Sequence, residues 1–347
     1  MIPPIALQTG REIGFSHPTY IVAEVGSNHD GNFEKAKRLI DLAKDVGADA
    51  IKFQSFHADK LLNQEWLHQG NWEKNPLWEM YERLSLPDEW HAELQQYAAL
   101  IGIDFLSTPF DIDSVKLLVD LDVPVIKIAS GDLTYHDMLK EVGKSRKPVF
   151  LSTGASTLEE IDAAVQVLRG NGCRHLVLLQ CVLNYPAQLQ DVNIRAMLTL
   201  LSNFEVLVGY SDHGPRSIVP IGAVALGACV LEKHLTDDKS LPGPDHRFAL
   251  DREEFSHMVA LIRQMEAALG DGLKQPTSTE LEEIVASRRG LYAAEDIPEG
   301  SILSRERIKV VRSCYPEGIP ASQLDEVLGK RTKETISKNT LLTWDLL

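Results

Sequence analysis

No stretch of this 347-residue chain stays apolar for the roughly 18 residues that a membrane span requires. No basic-then-apolar leader opens it either, so a cytoplasmic protein without a membrane partner is expected. Cysteine is scarce: Cys173, Cys181, Cys229 and Cys314 are scattered without a CxxC spacing, and three lie in or beside apolar runs. That pattern reads as buried free thiols in a reducing compartment rather than a disulfide framework. Positive charge is also short, with 35 Lys and Arg against 50 Asp and Glu and a formal net charge of −15. Such a balance argues against a nucleic-acid partner. It leaves room for an anionic small molecule wherever lysines are concentrated locally.

What the chain does have is regular alternation. From Tyr20 to Leu269, eight apolar runs (TYIVAEVG, ADAIKFQ, IDFLSTPF, VPVIKIAS, PVFLSTG, HLVLLQC, EVLVGYS and ACVLEKH) are separated by stretches with apolar residues at three- and four-residue spacing. The runs lack a clean polar face, as expected for parallel strands covered on both sides. Thr157 with Glu160 forms a capping-box pattern, and Gly47, Gly102 and Gly170 stand where helices should end. Eight β–α units predict an α/β fold, a (β/α)8 TIM barrel, with a doubly wound open sheet as the alternative.

Two segments break the alternation. Residues 58–87, with Trp66, Trp72 and Trp78, read either as a functional loop or as a helical excursion that packs its aromatics. Residues 270–279 (GDGLKQPTST) read as a linker, followed by a short helix over 280–287. Beyond that, residues 297–308 and 336–347 form a weak repeat in which Gly300 and Asn339 coincide, the two residue types that best tolerate a left-handed turn. The domain expectation is therefore a barrel over 1–270, a linker and helix over 271–287, and a small β-rich domain with internal twofold symmetry over 288–347.

The ends of the eight runs are unusually polar. They carry Glu24, Lys52 and Gln54, Ser107 and Thr108, Lys127 and Ser130, Ser152 and Thr153, Gln180 with Asn184 and Tyr185, then Ser211, His213, Glu232 and His234. Lys and Glu inside apolar strands are either paired with one another or functional. On the functional reading, Lys52 and Lys127 supply charge for a phosphate or carboxylate, with Thr108, Ser130 and Ser211 as neutral donors. His213 and His234, at matching positions on successive strands, offer nitrogens to a shared divalent metal. Glu24 and Glu232 are placed to move protons. A following loop, SLPGPDHRFAL, brings Asp245 and His246 toward the same mouth.

These motifs, in order, resemble a known family. IVAEVGSNHDGNFEKAKRLIDLAKDVGADAIKFQSF, FLSTPFD, VIKIASGD, LSTGAST, CVLNYPA, VGYSDH, VLEKHLTDD and PGPDH are similar to the sialic acid synthase family. The tail, with its Ser-Arg-Arg-Gly-Leu-Tyr stretch, resembles that family's C-terminal antifreeze-like (β-clip) domain. The resemblance implies metal-dependent condensation of phosphoenolpyruvate with an N-acetylmannosamine-type amino-sugar aldehyde, giving a nonulosonic acid and phosphate for surface polysaccharide. By position it implies manganese on His213 and His234, and phosphoenolpyruvate on Lys52, Thr108, Lys127, Ser130 and Ser211. Glu24 would handle the attacking water, while Gln54, Tyr185 and Asp245 would meet the sugar. Arg312 would reach the sugar's acyl group from a partner subunit, in a domain-swapped homodimer.

Three departures fall on the sugar side. Asp132 stands where bacterial members carry Glu, Leu183 with Asn184 stands where an amide or hydroxyl is usual, and Ser313-Cys314 follows Arg312 in place of Pro-Gly. The sugar therefore stays open among N-acetylmannosamine, its 6-phosphate and diacetamido sugars. A Schiff-base aldolase using Lys52 or Lys127, and a non-catalytic sugar-binding homologue, are the rival expectations.

Overall fold

The structure, a computed structural model, describes residues 2–347. The chain divides into two compact units, Met1–Gly270 and Asp271–Leu347. In the first, eight parallel strands close into a barrel in sequence order. They are β1 (Tyr20–Gly26), β2 (Ala50–Ser55), β3 (Asp104–Pro109), β4 (Ile126–Ile128), β5 (Val149–Ser152), β6 (Leu176–Cys181), β7 (Leu207–Asp212) and β8 (Val230–His234). The closed barrel, not the open sheet, is the architecture.

Side chains on a strand alternate between faces, and that period sorts every residue of the barrel. Tyr20, Val22, Ala50, Leu106, Val125, Phe150, Val177, Leu179, Leu207 and Val230 fill the interior. Their neighbours Ile21, Ala23, Ile51, Phe53, Phe105, Ile126, Val208 and Leu231 pack outward against the helices. Carrying the inward parity to the C-terminal ends brings Glu24, Lys52, Thr108, Lys127, Ser211, Glu232 and His234 to the mouth. At the opposite end the short antiparallel pair Ile5–Ala6 and Glu12–Ile13 joins the interior through Ile5, Leu7 and Ile13.

Lys233 shows the same rule in reverse. It pairs in register with Asp212 on β7, both with outward parity. Its fully buried ammonium contacts the Asp212 carboxylate and the Gly214 carbonyl. Asp212 also accepts the Gly214 N–H at 3.0 Å, so the residues on either side of His213 are held from behind.

Helix ends follow local chemistry. Thr157 and Glu160 form a reciprocal capping box, as do Asp251 and Glu254. Gly102 caps its helix in the left-handed conformation. The expectation for Gly170 needs correction: it is the last helical residue, Asn171 is the cap, and the positive φ falls on Gly172. Residues 58–84 form two short helices, Ala58–Leu61 and Trp78–Leu84, around a hairpin of Glu65–His68 with Asn71–Lys74. Trp66 and Trp72 are exposed on that hairpin rather than packed. Among the described residues, no helix is long and apolar enough to cross a membrane.

The second unit opens with helix Ser278–Ser287, capped by a Thr277–Glu280 box. An antiparallel pair follows, β9 (Arg289–Ala293) with β10 (Ile308–Arg312). Its core comprises Leu291, Ala293, Ile297, Leu303, Ile308, Ile319, Val327, Ile336 and Leu342. The sequence repeat is structural. Ile297 and Ile336 exchange both backbone hydrogen bonds at 2.8 Å, and Gly300 and Asn339 share φ values of 74° and 72°. The symmetry extends outward, with Leu303 N–H donating to Lys330 and Leu342 N–H to Leu291.

Candidate active site

The barrel mouth holds a cavity of about 590 Å³. Its charged floor is built by strand register: Ser211 lies beside Glu232, His234 beside Glu24, Glu24 beside Lys52, and Gln54 beside Thr108. Ser130, Asp132, Tyr185, His213 and Asp245 line the same space.

Two buried lysines each face carboxylate. Lys52 Nζ is 2.5 Å from Glu24 Oε2 and 3.6 Å from Glu232 Oε2, and it donates to Thr108 Oγ1 at 2.8 Å. Lys127 Nζ is 4.0 Å from Glu232 Oε1 and donates to the Ile128 carbonyl at 2.9 Å. Burial works against the charge of Lys52, but Glu232 and Glu24 together hold it above its usual range. Lys127 is pushed down by burial, with Glu232 offsetting only part.

The carboxylates divide in the same way. Burial raises Glu24 to about 7 despite Lys52, with Glu232 adding to the rise. Glu232 is held below the usual carboxylate range because Lys127, Lys52 and a 2.9 Å hydrogen bond from Ser211 outweigh its burial. Burial brings Asp132 and Asp245 each to about 6, partly opposed by Lys127 and Lys52 respectively. Carboxyl groups forced apart in this manner suit separate acid and base tasks.

The two imidazoles sit 5.6 Å apart, centroid to centroid. His213 donates from Nδ1 to the Val182 carbonyl at 2.8 Å, which leaves Nε2 as a lone-pair nitrogen. Tyr185 stacks on the His213 ring at 4.1 Å, and Phe248 meets His234 edge-on at 4.9 Å. His234 Nδ1 is buried without a hydrogen-bond partner, 3.8 Å from Asp245 Oδ2. Burial lowers both histidines below their usual range, favouring the neutral form that binds metal. Among the described residues, no cluster of three or more His, Cys, Asp or Glu is arranged around a metal position. His213 Nε2, whose polar neighbour is Ser211 Oγ at a long 3.5 Å, and the orphaned buried Nδ1 of His234 nevertheless fit a two-imidazole metal site.

Several expectations change. Asn184 is exposed, and its neighbour Leu183 lines the cavity instead. His246 does not face the mouth; it is fully buried and turned toward Thr236 and Asp30. Ser107 is bonded behind the strands to Ser55, which also meets His91. Arg312 is exposed at the end of β10, in the second unit. Sequence reasoning missed Arg247, which follows Asp245 by two residues and lines the cavity. It also missed an apolar wall of Phe56, Leu61, Leu62, Met80, Tyr81 and Leu84, for which only the unusual length of the 58–87 segment was a signal.

Residues 39–274 match the NeuB family and residues 288–347 the SAF domain. The chain is 40% identical over 341 residues to the N,N'-diacetyllegionaminic acid synthase of Legionella pneumophila, covering 96% of this chain and 95% of that one. It is 33% identical over 351 residues to the N-acetylneuraminate-9-phosphate synthase of Homo sapiens, covering 99% and 96%. The crystal structure of N-acetylneuraminic acid (sialic acid) synthetase from Leptospira borgpetersenii, in complex with citrate, aligns with a TM-score of 0.76 and 32% identity, covering 82% and 96%. With its closed barrel, its mouth of buried lysines and imidazoles and its duplicated tail, the chain belongs to the NeuB family.

Proposed function

We propose that this protein is a nonulosonic acid synthase that condenses phosphoenolpyruvate with the open-chain aldehyde of an amino sugar. The observation that carries the reading is the meeting of Lys52 and Lys127 with two neutral imidazoles and a carboxyl near neutrality in one cavity. The two lysines, with Thr108, Ser130 and Ser211, hold the phosphate and carboxylate of phosphoenolpyruvate. A divalent metal on His213 and His234, manganese by family resemblance, would supply Lewis-acid polarisation of the acceptor carbonyl.

The chain's own groups do the rest. C3 of phosphoenolpyruvate bonds to the aldehyde carbon, whose oxygen takes up a proton. Ionised Glu24 accepts a proton from the water that adds to C2. The proton held by Glu24 accounts for the one gained by the former aldehyde oxygen. The C2 hydroxyl then gives its own proton to the departing phosphate as the C2 carbonyl forms and the C–O bond to phosphate breaks, the leaving electron pair being balanced by Lys52 and Lys127. The product is three carbons longer than the acceptor.

The cavity favours an acceptor without phosphate at its far end. Lys52 and Lys127 are engaged at the floor, Arg247 is the one further cation among the lining residues, and the facing wall is apolar. Acyl methyl groups suit that wall, as in the diacetylated product named for the Legionella relative. Arg312 and the small domain are proposed to serve the mouth of a second copy in a homodimer, which a solution mass of one chain would refute.

The deciding experiment is phosphate release from phosphoenolpyruvate with Mn2+ and a panel comprising N-acetylmannosamine, its 6-phosphate and diacetamido sugars, with product mass. Release with none of them would overturn the proposal. A second reading rests on Lys127, whose lowered pKa suits a Schiff-base nucleophile. Borohydride trapping of a keto acid on Lys127, insensitive to chelator, would favour that aldolase chemistry.

A further inference from the structure

Asp245 stands close to a second buried carboxyl group, with the Lys52 ammonium near enough to act on both. A Cβ on Gly26 would lie 2.8 Å from Asp245 Oδ2 and 3.2 Å from Glu24 Oε1, so the two carboxyl groups crowd together across a residue with no side chain. Repulsion between them when both are ionised is offset by the attraction of each to Lys52. Asp245 also lies on the loop that follows β8, so its place over the cavity depends on what fixes that loop.

His246, its neighbour, is held on two sides. The ring is fully buried, with Nδ1 2.6 Å from Thr236 Oγ1 and Nε2 3.3 Å from Asp30 Oδ1. One neutral tautomer satisfies both contacts: Thr236 O–H donates to Nδ1, and Nε2–H donates to the carboxylate. Asp30 Oδ2 accepts from Lys35 Nζ at 2.7 Å, and Lys35 reaches Asp237 Oδ1 at 3.2 Å. The loop is thus tied near its start, at Thr236 and Asp237, and again beside Asp245. Both ties converge on Asp30, in the loop that leaves β1. Space for the ring depends on Gly243, where a Cβ would come within 2.6 Å of His246 Cδ2.

We infer that His246, latched to Asp30 and Thr236, is a positioning residue that holds the Asp245 carboxylate over the acceptor site. The inference rests on the synthase reading for what Asp245 does there, and on geometry alone for the latch. It predicts an effect on sugar but not on phosphoenolpyruvate, whose lysines lie on β2 and β4.

The test compares the full-length wild type with His246→Phe, which keeps ring volume and loses both hydrogen bonds, and with Asp30→Asn, which keeps an oxygen acceptor for Nε2–H. Asparagine also tolerates the φ of 52° found at Asp30. For His246→Phe, the KM for the amino sugar should rise about tenfold or more while that for phosphoenolpyruvate stays within about twofold. Amide exchange across residues 236–248 should quicken by about tenfold. Asp30→Asn, whose single acceptor oxygen cannot serve both His246 and Lys35, should show the same split and the same quickened exchange in smaller measure. A parallel rise in both KM values, or unchanged exchange in the loop, overturns the inference. Should His246→Phe not fold, Thr236→Val removes one of the two bonds and must show the same split. If the wild type releases no phosphate with any amino sugar, the synthase reading fails, and the exchange measurement still decides whether the latch exists.

Discussion

Lys52 Nζ lies 2.5 Å from Glu24 Oε2 on the neighbouring strand, both groups buried. The lysine therefore keeps its charge, ready for an anionic substrate, at the cost of desolvating two ions. Breaking such a pair from one side leaves an uncompensated charge. Lys52→Met should lose about 3–5 kcal/mol of unfolding free energy in denaturant titration. The double variant with Glu24→Gln should lose clearly less than the sum of the single changes. Strict additivity would show that the two groups do not interact.

The imidazole pair makes the metal proposal testable without turnover. In calorimetric titration, His213→Ala and His234→Ala should each weaken Mn2+ binding by more than about a hundredfold, beyond what loss of an outer hydrogen-bond partner costs. Chelator-treated wild type should release no phosphate until Mn2+ is restored. Near-normal turnover by His213→Ala in chelator would refute the assignment.

Asp132 gives a pH dependence whose sign is fixed. Burial raises its carboxyl from 3.8 to about 6, so the folded protein holds this proton more tightly than the unfolded chain. Its contribution to stability is full below about pH 4 and is lost as pH rises through about 6. Asp132→Asn should therefore match wild type in Tm near pH 4 and exceed it at pH 7. If the ionised carboxylate accepts a sugar hydroxyl, wild-type KM for the sugar falls as pH rises through 6, whereas the variant's stays flat.

Behind the site, Lys233→Met should destabilise by about 3–5 kcal/mol, because it strands the buried Asp212 carboxylate. Adding Asp212→Leu should recover much of that loss, since a well-packed apolar pair replaces buried ions at little net cost. Denaturant midpoints of the three variants check this. Recovery of folding without recovery of Mn2+ affinity would show that the ion pair also orients His213.

Much of this was legible in the sequence because strand parity is simple. Glu24, Lys52, Lys127, Glu232 and His234 stand out as polar residues on apolar runs, and a barrel sends the ends of all eight runs to one mouth. What the sequence could not show is where a loop turns its side chains. Asp245 and His246 are adjacent, yet one faces the cavity and the other is buried against Asp30, a choice made by contacts more than two hundred residues away in sequence. Leu183 and Asn184 likewise differ in a way their adjacency hides, the first lining the cavity and the second exposed. The apolar wall escaped notice because Leu61, Met80, Tyr81 and Leu84 come from helices too short to leave a periodic signature, with Phe56 and Leu62 flanking the first and Trp66 and Trp72 on an exposed hairpin between them.

The reciprocal bonds between Ile297 and Ile336 have the form of a contact between identical subunits, in which each partner offers the other the same edge. Here both partners lie on one polypeptide. A half-length ancestor with that edge would have had to find a second molecule in solution. Fusion of two copies makes the encounter intramolecular and independent of dilution. It also frees the two halves to differ: a glycine turn in one and an asparagine turn in the other flank the same shared core.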